Sequence, residues 1–540
     1  MAPVISLHLI DYVIIAGYIL VMVLVGYSLK KFMRTGEDFF LSGRSLPGWI
    51  TGLAFLSANL GALEVIGMVA NSAKYGIMTV HFYWVGAIPA MIFLGIFMMP
   101  FYYGSRVKTV PEYLKLRYNE ATRGLNAISF AVMTVLMSGV SLYAMALLFK
   151  LMLGWSLTGS VLFAAIVVLI YVFWGGLSSS IYNEVIQFFL IWLGLLPVVF
   201  LGLKNTGEFA GLARKLPEAF LHSWKYLGSA AQNPLGIEWI GVILGLGFVL
   251  SFGYWTTDFL VVQRALASKN LAASRMTPII ASFPKMLVPI IVVIPGLVAV
   301  AVLPEFSRSA AQTGEYNSAL ILLMSHYLPN GVLGLAITAL LASFMSGMAG
   351  NVTAFNTVWT YDIYGTYIKK GRPDKHYLNV GKFTTVAGIL ISVGTAYIVQ
   401  SFPNLMDYMQ LIFSFFNAPL FATFLLGMFW RGATPWGGFF GLLSGIGVAA
   451  LHYVLYKTGV LHYTSEMGAN FYQAWWAWLT DFVVTIGVSL FTKKKALSEL
   501  RGLVYGLSPK EKGVIKFYVR PEVWGSVALI AALVLNIIFW

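Results

Sequence analysis

The chain has 540 residues, of which 59% are hydrophobic and only 10% charged, with a formal net charge of +14. A mean hydropathy of +0.80 excludes a soluble globular protein of this size, whose interior could not hide so much apolar surface, and points to a polytopic membrane protein. The absence of cysteine excludes disulfides and thiolate metal sites. No basic patch is interleaved with aromatics on a soluble module, so no nucleic-acid partner is expected.

Apolar runs of about 20 residues are long enough to cross the hydrocarbon core as helices. The sequence predicts about fourteen, at 9–29, 47–73, 79–102, 123–149, 156–178, 181–203, 237–262, 276–304, 318–360, 379–400, 405–430, 436–456, 472–491 and 521–540. The first carries Asp11 and lacks a basic leader, so it reads as a retained span rather than a signal peptide. The second, FLSANLGALEVIGM, is interrupted by Ser57, Asn59 and Gly61. A possible amphipathic helix, GEFAGLARKLPEAFLHSW, lies in the gap 204–236. The seventh run, GFVLSFGYWTTDF, is interrupted by Ser251, Gly253 and the polar cluster Thr256–Asp258. In the eighth, Lys285 stands inside FPKMLVPIIVVIPGLVAVAVL. An ammonium there must be paired, solvated or neutralised, and such residues usually line a substrate or ion path. The ninth run exceeds the length of one crossing, so it is expected to extend beyond the bilayer or bend. Asp481 and His452, in later runs, are expected to be packing residues. A basic linker, 493–520, precedes the last span.

Basic residues set the orientation. With the N-terminus outside, the inward loops hold Lys30, Lys31, Arg34, Arg44, Arg106, Lys108, Lys115, Arg117, Arg264, Lys269, Arg275, Lys369, Lys370, Arg372 and Lys375, together with the 493–520 stretch. That side carries about 26 basic residues against about 8 on the other. An even number of spans puts both termini on the outer, periplasmic side of a cell (inner) membrane. No gap holds a soluble domain, so residues 1–540 form a single transmembrane domain surrounded by lipid.

The two interrupted spans lie five apart, so each opens a five-span unit, and an odd number of spans inverts the second unit relative to the first. The units are 47–203 and 237–430, followed by accessory C-terminal helices in 436–540. Interrupted helices at matching places in inverted halves are a sequence pointer to a transporter's central site, although small residues also serve close helix packing.

Several stretches carry a resemblance. EDFFLSGRSLPGW, TVPEYLKLRYN, FWGGLSSSIYNEVIQ, QRALASKN, TAFNTVWTYDIY and GMFWRGATPWGGFFGLLSG follow one another in this order from about residue 37 to 445. They resemble, in the same order, the signature segments of the solute:sodium symporter family, and most of all its sodium/sugar cotransporter branch. The resemblance implies an all-α, LeuT-type fold of inverted five-helix repeats, with one extra N-terminal and three extra C-terminal helices. It also implies sodium-driven alternating access and no enzymatic chemistry.

A hard cation such as sodium needs oxygen ligands, and broken helices free carbonyls for that purpose. The resemblance places the carbonyls of Ser57 and Leu60, the carbonyl of Ser343 and the hydroxyl of Ser346 around the co-transported sodium ion. Where the family usually carries a second hydroxyl, this chain has Gly347. Glu184 falls where the family places an aspartate on the ion's exit path; a carboxylate bonded at a helix N-terminus is the alternative.

A sugar site combines hydrogen-bonding groups with an aromatic face. By resemblance, Tyr254 stacks on the sugar ring beside Trp255, with Asn59 a candidate partner for the Tyr254 hydroxyl. Lys285, thirty residues after Trp255, and Gln410 match sugar-contacting positions, and Met68 and Phe82 resemble an outer hydrophobic gate. Four positions depart from the branch. Glu64 replaces a glutamine or histidine, Tyr83 a glutamate, Ser251 an asparagine and Gly86 a serine. A buried carboxylate near a buried ammonium favours pairing of Glu64 with Lys285; contact with substrate and protonation in a helix interface are the alternatives.

The expected function is secondary active symport of a sugar or sugar derivative with sodium. A sodium symporter for another small solute (a carboxylate, inositol or vitamin) and a non-transporting sugar sensor are the rivals. No nucleotide-binding loop or metal-ligand cluster suggests an ATP-driven pump.

Overall fold

The computed structural model describes residues 7–29, 35–402, 404–507, 517 and 520–540; Lys30, Lys31 and Arg34 of the first loop expected to face inward, and part of the 493–520 linker, lie outside them. Among the described residues the secondary structure is helical, apart from one parallel bridge between Leu46 and Ser268. The principal helices are α1 (Leu9–Leu29), α2 (Gly48–Asn59), α3 (Leu63–Val80), α4 (Phe82–Gly104), α5 (Glu120–Leu153), α6 (Leu157–Thr206), α7 (Trp239–Thr257) and α8 (Phe259–Leu266). They continue with α9 (Leu271–Val302), α10 (Val332–Ile368), α11 (Asp374–Val399), α12 (Leu405–Phe429), α13 (Pro435–Lys457), α14 (Glu466–Phe491) and α15 (Pro521–Ile538).

Twelve helices among the described residues are long and apolar enough to cross a membrane, and the bent pair α2–α3 makes a thirteenth crossing. The fifth expected run is represented by a shorter apolar helix, Leu157–Ile170. It is continuous in α6 with the sixth run, through a turn at Gly176 (φ 51°, ψ −147°). A side chain at Gly176 would place its Cβ 2.6 Å from the Phe39 carbonyl oxygen, so only glycine suits that corner. The over-long ninth run separates into a short helix, Ala319–Tyr327, and α10. Part of the amphipathic segment forms the helix Glu208–Lys215.

Side-chain oxygens supply acceptors to the unpaired N–H groups at helix starts. Asn119 accepts from the Thr122 amide, Asn270 from Ala273 and Ser465 from Gly468, all at 2.8–2.9 Å. Asp11 works across helices. Its carboxylate accepts the Gly331 and Gly334 amides at 2.7 and 2.8 Å, which fastens α1 to the start of α10 and explains a fully buried acid in an apolar span. Asp481 is likewise satisfied by Thr423 and Thr485 at 2.6 and 2.8 Å, and Nε2 of His452 meets the Tyr463 hydroxyl at 2.8 Å. Large apolar side chains such as Phe200, Phe383 and Leu390 point outward and exposed, as lipid-facing surfaces require.

Helices α5, α6 and α10 pack together, α9 lies against α2 and α3, and α12 against α14. The chain is irregular inside this bundle at two places. Between α2 and α3 it bends by 59° around Leu60 (ψ 43°). Between α7 and α8, Asp258 is extended (ψ 119°). The second break falls at the end of the polar cluster predicted for it, one turn beyond Tyr254.

Candidate functional site

The α2–α3 break exposes carbonyls that the helix would otherwise use, and α10 meets them with hydroxyls. Ser343 Oγ donates to the Leu60 carbonyl at 2.7 Å, and Ser346 Oγ donates to the Ser57 carbonyl at 3.0 Å. The Ser57 and Ser346 hydroxyls lie 3.4 Å apart. The four residues of the expected ion site are therefore together, all fully buried. Gly347 packs against the break: a Cβ there would lie 3.0 Å from the Gly61 Cα. The close approach of two glycines fixes α10 against the turn, and a serine at 347 would push the two backbones apart.

Beside the break lies a cavity lined by Asn59, Glu64, Met68, Phe82, Tyr83, Ser251, Tyr254, Trp255, Lys285 and Gln410. These are the eight expected substrate-site residues and the two expected gate residues. Leu246, Leu250, Met406, Met409 and Phe413 complete the wall. Sequence reasoning missed all five, although 406, 409, 410 and 413 have the spacing of one helix face.

Lys285 is 2% exposed. Its ammonium donates to Glu64 Oε1 at 2.7 Å and to Asn59 Oδ1, and it stands 4.9 Å from the Tyr83 ring centroid and 5.1 Å from that of Trp255. Of the readings open for Glu64, pairing with Lys285 is the observed one. A buried charge with a carboxylate, an amide oxygen and two π faces around it is compensated on every side. Asn59 is shared, because its amide also donates to the Tyr254 hydroxyl at 3.1 Å. The Tyr254 ring stacks on Phe413 at 4.8 Å and Trp255 on Phe55 at 5.6 Å, so both aromatics are held from behind. Gln410 Oε1 is buried without a hydrogen-bond partner among the described residues. Two sequence departures explain one another: a Cβ on Gly86 would lie 2.1 Å from Ser251 Oγ and 3.0 Å from Ser251 Cβ.

A second, small chamber is lined by Gly61, Ala62, Ser141, Asp258, Gly347 and Asn351, and shares Asn59, Glu64, Tyr254, Met409 and Phe413 with the first. Asp258 Oδ1 caps α8 through the Leu260 amide at 2.9 Å, and its other oxygen accepts from Asn417 at 3.4 Å.

Glu184 is not free. It is fully buried, accepts from Ser180 at 2.6 Å and forms a two-pronged pair with Arg264, whose Nε lies 3.2 Å from Oε2. Arg264, expected in an inward loop, is itself wholly buried, because α8 carries it inward beneath the second break. At the C-terminal end of α3, Lys74 pairs with Asp407 of α12 at 2.7 Å, with the Tyr75 hydroxyl on the same carboxylate at 3.2 Å; neither contact was visible in the sequence.

Residues 39–445 match the sodium:solute symporter family. The chain is 28% identical to the sodium/glucose cotransporter of Vibrio parahaemolyticus over 460 residues, which cover 82% of this chain and 84% of that one. It is 28% identical to sodium/glucose cotransporter 1 of Ovis aries over 539 residues, covering 92% and 81%. Its structure is similar to the substrate-bound, outward-open state of a Na+-coupled sialic acid symporter, with a TM-score of 0.75 at 19% identity over 91% of this chain and 99% of that one. A nucleobase-cation-symport-1 family transporter follows at 0.52 and 11% identity, over 86% and 97%. The fold is that of these LeuT-type transporters.

Proposed function

Because the chain belongs to the sodium:solute symporter family, we propose that it is a secondary active symporter that imports a sugar or sugar derivative together with sodium. The observation that carries this reading is the convergence of ten expected side chains on one cavity at a helix break, next to a cluster of buried oxygens from Ser57, Leu60, Ser343 and Ser346. The relatives named as sodium/glucose cotransporters support the substrate class.

In this reading sodium is held by the carbonyls of Ser57, Leu60 and Ser343 and the hydroxyl of Ser346. The substrate lies in the cavity against the Tyr254 face, with Gln410, Asn59, Lys285 and Glu64 offering donors and acceptors to its hydroxyls. Met68 and Phe82 close over it. Residues 47–203 and 237–430 act as the two inverted repeats, and 436–540 as accessory helices. With Leu157–Ile170 as a fourteenth crossing, both termini lie on the outer side of the cell membrane and the basic loops inside.

The test is uptake by purified protein in proteoliposomes, with sugars, sugar acids, inositols, other carboxylates and amino acids as solutes. An inward sodium gradient is expected to drive accumulation of a sugar, and counterflow is expected to exchange it. Accumulation that ignores sodium, or that selects amino acids, would refute the proposal; binding without counterflow would make the protein a sensor.

A further inference from the structure

We propose that Ser141 of α5 is a ligand of the transported cation, supplying from a third helix the hydroxyl that Gly347 of α10 cannot. The inference rests on the ion site described above and concerns how this chain completes it. A small hard cation is held by several oxygens at once, and the α2–α3 break and α10 offer four: three carbonyls and the Ser346 hydroxyl.

Space at position 347 is the first observation. A Cβ there would meet the Gly61 Cα at 3.0 Å, and the next atom it would meet is Ser141 Oγ at 3.3 Å. The Ser141 hydroxyl thus stands directly beside Gly347, within reach of the region that a side chain at 347 would enter.

The state of that hydroxyl is the second. A serine or threonine inside an apolar helix ordinarily satisfies itself on the carbonyl one turn back. Thr134 and Ser138, on the same helix, do so at 2.7 and 2.8 Å. Ser141 does not: its hydroxyl has no hydrogen-bond partner among the described residues, although the residue is only 3% exposed, and it lines the chamber with Gly347, Gly61 and Ala62. A hydroxyl without a protein partner that faces a chamber keeps its lone pairs available to a ligand, and a coordinated cation would use one of them. The glycine pair and the serine then form one solution. Gly61 and Gly347 let α10 approach the break closely, and the oxygen displaced by that approach enters from α5.

Sodium binding to the purified full-length protein tests this, by equilibrium binding of radioactive sodium and by sodium-dependent thermal stabilisation, at constant ionic strength with choline as the replacement cation. Ser141→Ala is expected to weaken sodium binding about tenfold or more, the loss of one contact to a charged group. Ser141→Cys keeps the volume but replaces a hard oxygen with soft sulfur, and is expected to weaken it equally while preserving the sodium-free melting temperature. Ser346→Ala is the reference. If it loses sodium affinity while Ser141→Ala and Ser141→Cys bind like the parent, Ser141 is no ligand, although the ion site stands. If all three bind sodium like the parent, the ion site itself is wrong and the proposal falls with it.

Discussion

Charge removal at the Glu64–Lys285 pair tests the centre of the cavity. The two groups are 2.7 Å apart, with side chains only 7% and 2% exposed. Breaking a buried pair by removing one partner commonly costs about 3–5 kcal/mol, and the surroundings predict which single change is worse. Glu64→Gln leaves the ammonium with the Asn59 oxygen and the faces of Tyr83 and Trp255. A hydrogen bond to a charged group contributes about 1.5–3 kcal/mol and a desolvated cation–π contact about 2 kcal/mol, so this loss falls near the lower end, about 3 kcal/mol. Lys285→Met takes from the buried Glu64 carboxylate its one hydrogen-bond donor among the described residues, and the loss rises to about 5 kcal/mol. The double variant strands neither charge. Its loss is expected to undercut the sum of the singles by about 2–3 kcal/mol. Denaturant unfolding of the four proteins in one fixed micelle supplies the cycle. Single losses that add to within about 0.5 kcal/mol, or a Glu64→Gln loss larger than that of Lys285→Met, would refute the reasoning.

Three further outcomes follow from the same geometry. Tyr254→Ala, which removes the ring stacked on Phe413, is expected to abolish sugar binding, whereas Tyr254→Phe loses only the Asn59 hydrogen bond, worth about 1 kcal/mol; equal losses in a binding titration would show that the hydroxyl, not the face, matters. Asn59→Ala takes an oxygen from Lys285 and a donor from Tyr254, and is expected to reduce sugar affinity about tenfold and to shrink its enhancement by sodium; an unchanged ratio of affinities with and without sodium would count against the assignment of Asn59. Glu184→Gln strands the buried Arg264 guanidinium and is expected to cost about 3–5 kcal/mol of stability; unaltered unfolding with slowed sodium release would return Glu184 to the ion path alone.

The sequence was most legible where a residue contradicts its surroundings. Lys285 in an apolar run, the Ser57–Gly61 interruption and the polar cluster ending at Asp258 each violate a local rule, and each turned out to sit at the cavity or at a break. Violations inside the runs are sparse, so they stand out. Contacts between runs are not visible in that way. Ser141 is one of several hydroxyl residues on a long helix, and only the packing of α5 across the break separates it from Ser138. Arg264 counted as a loop residue because the chain beyond Asp258 is short and amphipathic; the restart of the helix at Asp258 carries it inward to Glu184. The kink at Gly176 was hidden for the opposite reason, since two consecutive apolar runs with helical character on both sides read as two separate spans whether or not the chain stays helical between them.

In the proposed reading, the α2–α3 turn is also where ion and substrate meet. Within eight residues, Ser57 and Leu60 present carbonyls to α10, while Asn59 and Glu64 present side chains to Lys285. An ion that orders the turn therefore fixes the position of Asn59, and through it both the Lys285 ammonium and the Tyr254 hydroxyl. A ligand shifts a conformational equilibrium only by its differential affinity for the two states. With the ion and the sugar placed as proposed, the same few backbone torsions set both affinities, so sodium and sugar need no long route of communication. Linkage then demands that the coupling be mutual: whatever factor sodium adds to sugar affinity, sugar adds to sodium affinity. A fifth oxygen from Ser141 would tie α5 into that turn as well, so that the ion holds three helices at the point where the substrate's partners are set.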